Sequence, residues 1–259
     1  MKKVSLIWSL VCFVSCFSVE KKTEVKAVYD ELALTQFVQL SATQNQETSL
    51  RLSDSAMTVA SNDSTVFHKT INYLAKIYSN PNSSFRNEVF YDKILKAQMD
   101  SKWYTAMDKQ EVLYRLHLLH QNDVGDLAND FEYRTPGGQK NSMFNLEADY
   151  LLLFFYNPEC EACKEMTQAL KHSSFIEKVT ATGRLKIFCV YTDMDLSAWY
   201  RHLHEYPSLW IQGRDQDEYL YKHDIYDLRA IPTLYLLNRN KKVILKDCIA
   251  VEELERNIH

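Results

Sequence analysis

Apolar positions recur along this chain with two different periods. Between Val66 and Tyr78, residues Phe67, Ile71, Leu74, Ala75 and Tyr78 fall three and four apart, one face of a 3.6-residue helix. Asn80-Pro81-Asn82-Ser83-Ser84 interrupts this with turn formers and N-cap candidates. The spacing then predicts a helix over 85–99, with Glu88 in its first turn, and another amphipathic segment over 111–120. From Asp123 the pattern changes. Thr135-Pro136-Gly137-Gly138 is a turn signal, and Leu151 to Tyr156 is an unbroken apolar and aromatic run, as in a strand buried on both faces. Residues 160–171 return to helical spacing, with Cys163, Met166, Thr167 and Leu170 on one face. Leu185 to Tyr191, Thr233 to Leu237 and Lys242 to Lys246 read as further strands, with Trp199, Trp210 and a helical stretch between the first two of these. This order of elements predicts an α/β sandwich around one central sheet, preceded by an all-α half.

Composition sharpens the division. The 259 residues leave room for roughly one and a half to two domains. Hydrophobic residues at 46% and charged residues at 25% are globular values, which argue against disorder. All five glycines (Gly125, Gly137, Gly138, Gly183 and Gly213) follow residue 120, whereas the first 120 residues hold one proline, Pro81. So long a stretch without glycine suits helices better than hairpins. A helical domain over 16–120 and an α/β domain over 121–259 are expected. The net charge of -4 lacks the basic footprint of a nucleic-acid binder.

The chain opens with Lys2 and Lys3, an apolar run from Val4 to Val14, and then Ser15-Cys16. A basic start before an apolar segment of about 11 residues describes a signal peptide over 1–15, too short to span a bilayer of about 30 Å. Phe13-Val14-Ser15-Cys16 resembles a bacterial lipobox, with Phe13 in place of the usual Leu. The resemblance implies that Cys16 becomes a lipid-bearing N-terminus and that the protein is exported to the cell envelope, periplasm or outer membrane, with its membrane attachment through lipid alone; ordinary cleavage near Ser18 is the alternative.

Six cysteines stand at positions 12, 16, 160, 163, 189 and 248, too few for a disulfide scaffold. Cys160 and Cys163 are the informative pair. Two cysteines three apart at the start of a helix face each other closely enough for a disulfide. The unpaired amides and dipole of that helix start favour negative charge on the first sulfur, and the second lies inward, placed to resolve a mixed disulfide. An inert bridge and a metal site are the competing readings. Zinc needs two more ligands; His202 and His204, about 40 residues on with no second Cys-x-x-Cys, match none of the usual spacings, and no metal or other cofactor is expected. Lys164 rather than His follows Cys163, which excludes c-type haem attachment.

At these residues the sequence resembles a known family. Val124-Gly125-Asp126-Leu127-Ala128-Asn129-Asp130-Phe131 is similar to the opening of TlpA- and ResA-like thiol–disulfide oxidoreductases. The run from Leu151 to Cys163 (LLLFFYNPECEAC) resembles their strand and active-site helix start, and Ala230-Ile231-Pro232-Thr233-Leu234-Tyr235-Leu236-Leu237 their cis-proline loop and following strand. The resemblance implies a thioredoxin-like fold in which Cys160 attacks, Cys163 resolves, Pro232 is cis beside them, and the backbone of Ile231 pairs with an extended substrate. It implies an enzyme that reduces or isomerises protein disulfides in the envelope, fed by an upstream electron donor. Tyr78 to Ser83 and Arg86-Asn87-Glu88 resemble an uncharacterised helical domain that precedes thioredoxin-like domains in Bacteroidetes envelope proteins, which implies no activity. Two residues depart from the pattern. Glu159 stands where thioredoxins usually carry Trp, and Phe154 where they carry a buried Asp that accepts the resolving thiol's proton. These departures keep a second class open, a non-catalytic binding or scaffold protein. A peroxidase of the peroxiredoxin type needs Thr at position 157, which is Asn. In the family's sheet order the strands bearing Cys189 and Cys248 lie on opposite edges, so a mutual disulfide is not expected, and both are read as buried, inert thiols.

Overall fold

The computed structural model describes residues 31–80, 83–215, 218–248 and 250–259. The leader and Cys16 lie outside the described residues. The chain forms two compact units that meet in sequence at Leu119 and His120.

The first unit contains α1 (Glu31–Ala42), α2 (Gln46–Ala60), α3 (Ser64–Ser79), α4 (Glu88–Asp100) and α5 (Ala106–Leu119). Side-chain caps fix three of the starts. Asn45, Asp63 and Asn87 accept hydrogen bonds from the amides of Thr48, Val66 and Phe90 at 2.9, 3.0 and 3.2 Å. The last of these explains why α4 begins at Glu88 and not at Phe85 as the spacing predicts: Asn87 caps the helix, and its amide bonds back to the Tyr78 carbonyl. The apolar stripe of α3 (Phe67, Ile71, Leu74, Tyr78) packs with Phe90, Ile94 and Leu95 of α4 into one core, and Tyr78 stacks on Phe90 at 4.8 Å between ring centres. No helix among the described residues is long and apolar enough to cross a membrane.

The second unit is a seven-stranded sheet in the order β2-β1-β5-β4-β3-β6-β7. Its strands are β1 (Glu132–Arg134), β2 (Lys140–Ser142), β3 (Tyr150–Tyr156), β4 (Leu185–Tyr191), β5 (Ile211–Arg214), β6 (Thr233–Asn238) and β7 (Val243–Leu245). Helices α6 (Glu161–His172), α7 (Ser174–Ala181), α8 (Leu196–His202), α9 (Tyr219–Lys222) and α10 (Val251–Asn257) complete it. Central β3 pairs parallel with β4 and antiparallel with β6. Its alternate residues enter two cores: Leu152, Phe154 and Tyr156 face the layer holding α6, α7 and α10, whereas Leu151, Leu153 and Phe155 face Phe131, Tyr226 and Met143. That is why the sequence shows an unbroken apolar run.

The expected edge position of the Cys189 strand is corrected. β4 is interior, because β5 pairs parallel with it and the β1–β2 hairpin extends the sheet beyond β5 through Arg134 and Arg214. Short polar strands of three or four residues build that side, and they carry no apolar run for the sequence to display. Cys248, just after β7, is at the other margin, and both thiols are buried and free.

Candidate active site

β3 ends at Tyr156, and the turn Asn157-Pro158-Glu159 delivers the chain to α6. Cys160 is the N-cap residue of α6, half-buried, at φ -78° and ψ 124°. One turn in, Cys163 is fully buried beside Met166 and Leu170, on the apolar stripe that seats α6 against the sheet. The Cys160 thiol donates to the carbonyl of Ile231 across 3.7 Å, and the Ile231–Pro232 peptide is cis. Pairing of Phe155 with Thr233 brings Pro232 to the end of β3 where the cysteines begin. Four residues singled out from the sequence (Cys160, Cys163, Ile231 and Pro232) thus meet at one end of the sheet. Cys16, the fifth, is outside the described residues.

The two thiols differ in environment. Burial pushes the Cys163 thiol well above the ordinary thiol range; the Asn157 backbone amide, within hydrogen-bonding reach, acts against this, and the neighbouring Cys160 adds to it. Burial likewise raises Cys189, and it takes Cys248 up to about 12 against a hydrogen bond with the Ala250 backbone. Beneath Cys163 the sheet face is aromatic. Phe154 is wholly buried at 5.4 Å from the ring of Tyr156, whose hydroxyl donates to Gln212 Oε1 at 2.9 Å.

The rim is polar. Glu159 pairs with Arg201 at 3.2 Å and Glu161 with Lys164 at 3.5 Å, in exposed ion pairs of the kind that contribute little to stability. Asn157 reaches Asp193, in the loop after β4, through Nδ2 at 2.9 Å. Sequence reasoning used Asn157 only to set aside a peroxidase and passed over Asp193 and Arg201, because they lie 36 and 42 residues from their partners. The one local signal was the Asn-Pro pair closing an apolar run. Among the described residues no group of three or more His, Cys, Asp or Glu side chains is placed to hold a metal ion, and His202 pairs with Glu205 at 2.7 Å.

A thioredoxin-like family model matches residues 148–243. The chain is similar over 88% of its length to a thioredoxin-like protein from Bacteroides caccae, at 34% identity and a TM-score of 0.79, with 82% of that chain covered. The C-terminal domain of an uncharacterised Bacteroides fragilis protein is 39% identical, with a TM-score of 0.51 over 53% of this chain and 97% of its own. A conserved Bacteroides fragilis protein of unknown function is 32% identical, with a TM-score of 0.51 over 53% of this chain and 99% of its own. No curated protein matches.

Proposed function

The chain belongs to the thioredoxin-like family, and we propose that it is a thiol–disulfide oxidoreductase that reduces or isomerises disulfides of exported proteins. The observation carrying this reading is the pairing of an accessible thiol at a helix N-terminus, bonded to Ile231, with a buried thiol one turn inward. In this reading the Cys160 thiolate attacks one sulfur of a substrate disulfide. A Cys160–substrate disulfide forms, and the first substrate thiolate leaves and takes a proton from water. Cys163 then loses its proton and attacks the Cys160 sulfur, which forms the Cys160–Cys163 disulfide and frees the second substrate thiol. Two electrons and two protons pass to the substrate. An upstream dithiol donor restores the protein, or, in isomerisation, a second substrate thiol displaces Cys160 before Cys163 acts. The Ile231 carbonyl, now held by the Cys160 thiol, is the backbone group offered to an extended substrate.

The direction of transfer in this reading is reductive. Glu159 and Glu161 flank Cys160 with negative charge, partly answered by Arg201 and Lys164. A couple that reduces protein disulfides belongs on the reducing side of about -200 mV. The leader-like run before Ser15-Cys16 supports an envelope location on a lipid anchor, where stable attachment needs more than one acyl chain. Its partners there are protein thiols and disulfides. Phe154 favours the second reading, a binding or scaffold protein whose cysteines do not turn over, since no carboxylate occupies that position beneath Cys163.

Trapping separates the two. In the native host a Cys163→Ala variant is expected to accumulate mixed disulfides with envelope proteins through Cys160, and a Cys160→Ala variant none. Equal and negligible capture by both variants supports the scaffold reading.

A further inference from the structure

Asn157 is bonded at two points of the cysteine turn. Its carbonyl accepts the Cys160 amide at 3.1 Å. Its Oδ1 accepts the Glu159 amide at 2.8 Å, while Nδ2 donates to Asp193 Oδ2 at 2.9 Å. Asp193 is anchored in turn, for its Oδ1 accepts the Asp195 amide at 3.1 Å, and Asp195 caps α8 through the amides of Ser197 and Ala198. One carboxamide therefore fastens the β3–α6 turn to the β4–α8 loop. Pro158 has no amide hydrogen to give, and the turn's other ties are the exposed Glu159–Arg201 pair and the Cys160–Ile231 contact.

We propose that Asn157 is a positioning residue for disulfide exchange, holding the Cys160–Cys163 turn through its carboxamide and Asp193 so that the buried sulfur stays in line with the mixed disulfide. This rests on the oxidoreductase reading and names the residue that serves its second step. The residue type is specific. The carboxamide accepts from the Glu159 amide through its oxygen and donates to a carboxylate through its nitrogen; Asp has no such donor when ionised, and Ala has neither group. Resolution is an attack by Cys163 on the Cys160 sulfur, and misplacement by about 1 Å of reacting atoms costs as much as 100-fold in rate.

The full chain carrying Asn157→Asp sets two carboxylates against each other, and Asn157→Asp combined with Asp193→Asn restores the bond with donor and acceptor exchanged. Reduced proteins are mixed with oxidised glutathione, quenched with acid, and the mixed disulfide followed by mass spectrometry. The mixed disulfide is expected to persist at least about tenfold longer in Asn157→Asp, and in Asn157→Ala should the charged variant fail to fold. The double variant returns to within about threefold of wild type, a recovery that a side chain serving only stability through bulk would not give. Resolution at the wild-type rate in the single variants, or a double variant as slow as Asn157→Asp, overturns this inference alone. A wild-type protein that forms no mixed disulfide overturns the oxidoreductase reading and this inference with it.

Discussion

Phe154 shows how the surroundings of one residue set the chemistry of another. It is fully buried, pairs with Cys189 and Leu234 on the neighbouring strands, and packs against Tyr156 under Cys163. Phe154→Asp, which installs the acid that thioredoxins carry, removes a buried ring and leaves a carboxylate in an aromatic layer. The expected outcome is a loss of about 4 kcal/mol or more in urea unfolding, with no gain in disulfide exchange. The raised thiols of Cys163, Cys189 and Cys248 make a second expectation at this scale. The folded state favours their protonated form, so their contribution to stability is complete below the unfolded thiol range near about 8.5. It is lost as pH rises towards the folded values, by up to about 1.4 kcal/mol per pH unit for each thiol. The urea midpoint of the reduced protein should therefore fall between about pH 8.5 and 10, and Cys248→Val should flatten that slope.

At the scale of elements, legibility follows run length and burial. β3, β4 and β6 each place six or seven residues in the sheet and are buried along almost their whole length, so their sequences announce them to within one residue. Helix α6 is equally plain, its apolar stripe starting at Cys163. The hairpin β1–β2 and strand β5 are short and half polar, and they exist as strands because neighbours supply their hydrogen bonds. For the same reason the cysteine pair and the Ile231-Pro232 loop stood out as motifs, whereas Asn157, Asp193 and Arg201 gain their place only when separate loops converge. Gly213 is the packing signature of that hidden side. A Cβ there would lie 2.5 Å from Tyr133 Cδ2 and 2.6 Å from Phe188 Cε2, rings whose centres are 4.4 Å apart. Gly213→Ala should cost about 1–3 kcal/mol by overpacking, and Gly213→Ala with Tyr133→Leu should regain part of it.

The whole molecule joins a helical unit, cysteine-free over its described residues, to a unit that contains all of the proposed redox chemistry. A domain 39% identical to the second unit has been crystallised on its own. Residues 120–259 alone should therefore fold cooperatively and reduce insulin at a rate within about threefold of the full chain; a folded but inactive fragment would mean that the helical unit helps to shape the site. The most direct measurement of the proposed function is a redox titration of the full folded protein against dithiothreitol buffers, reading Cys160 and Cys163 by alkylation and mass spectrometry. A reversible two-electron transition below about -200 mV, complete while the fold is intact, is the expected result. A bridge that resists reduction until the protein unfolds, or cysteines that never form one, would contradict it.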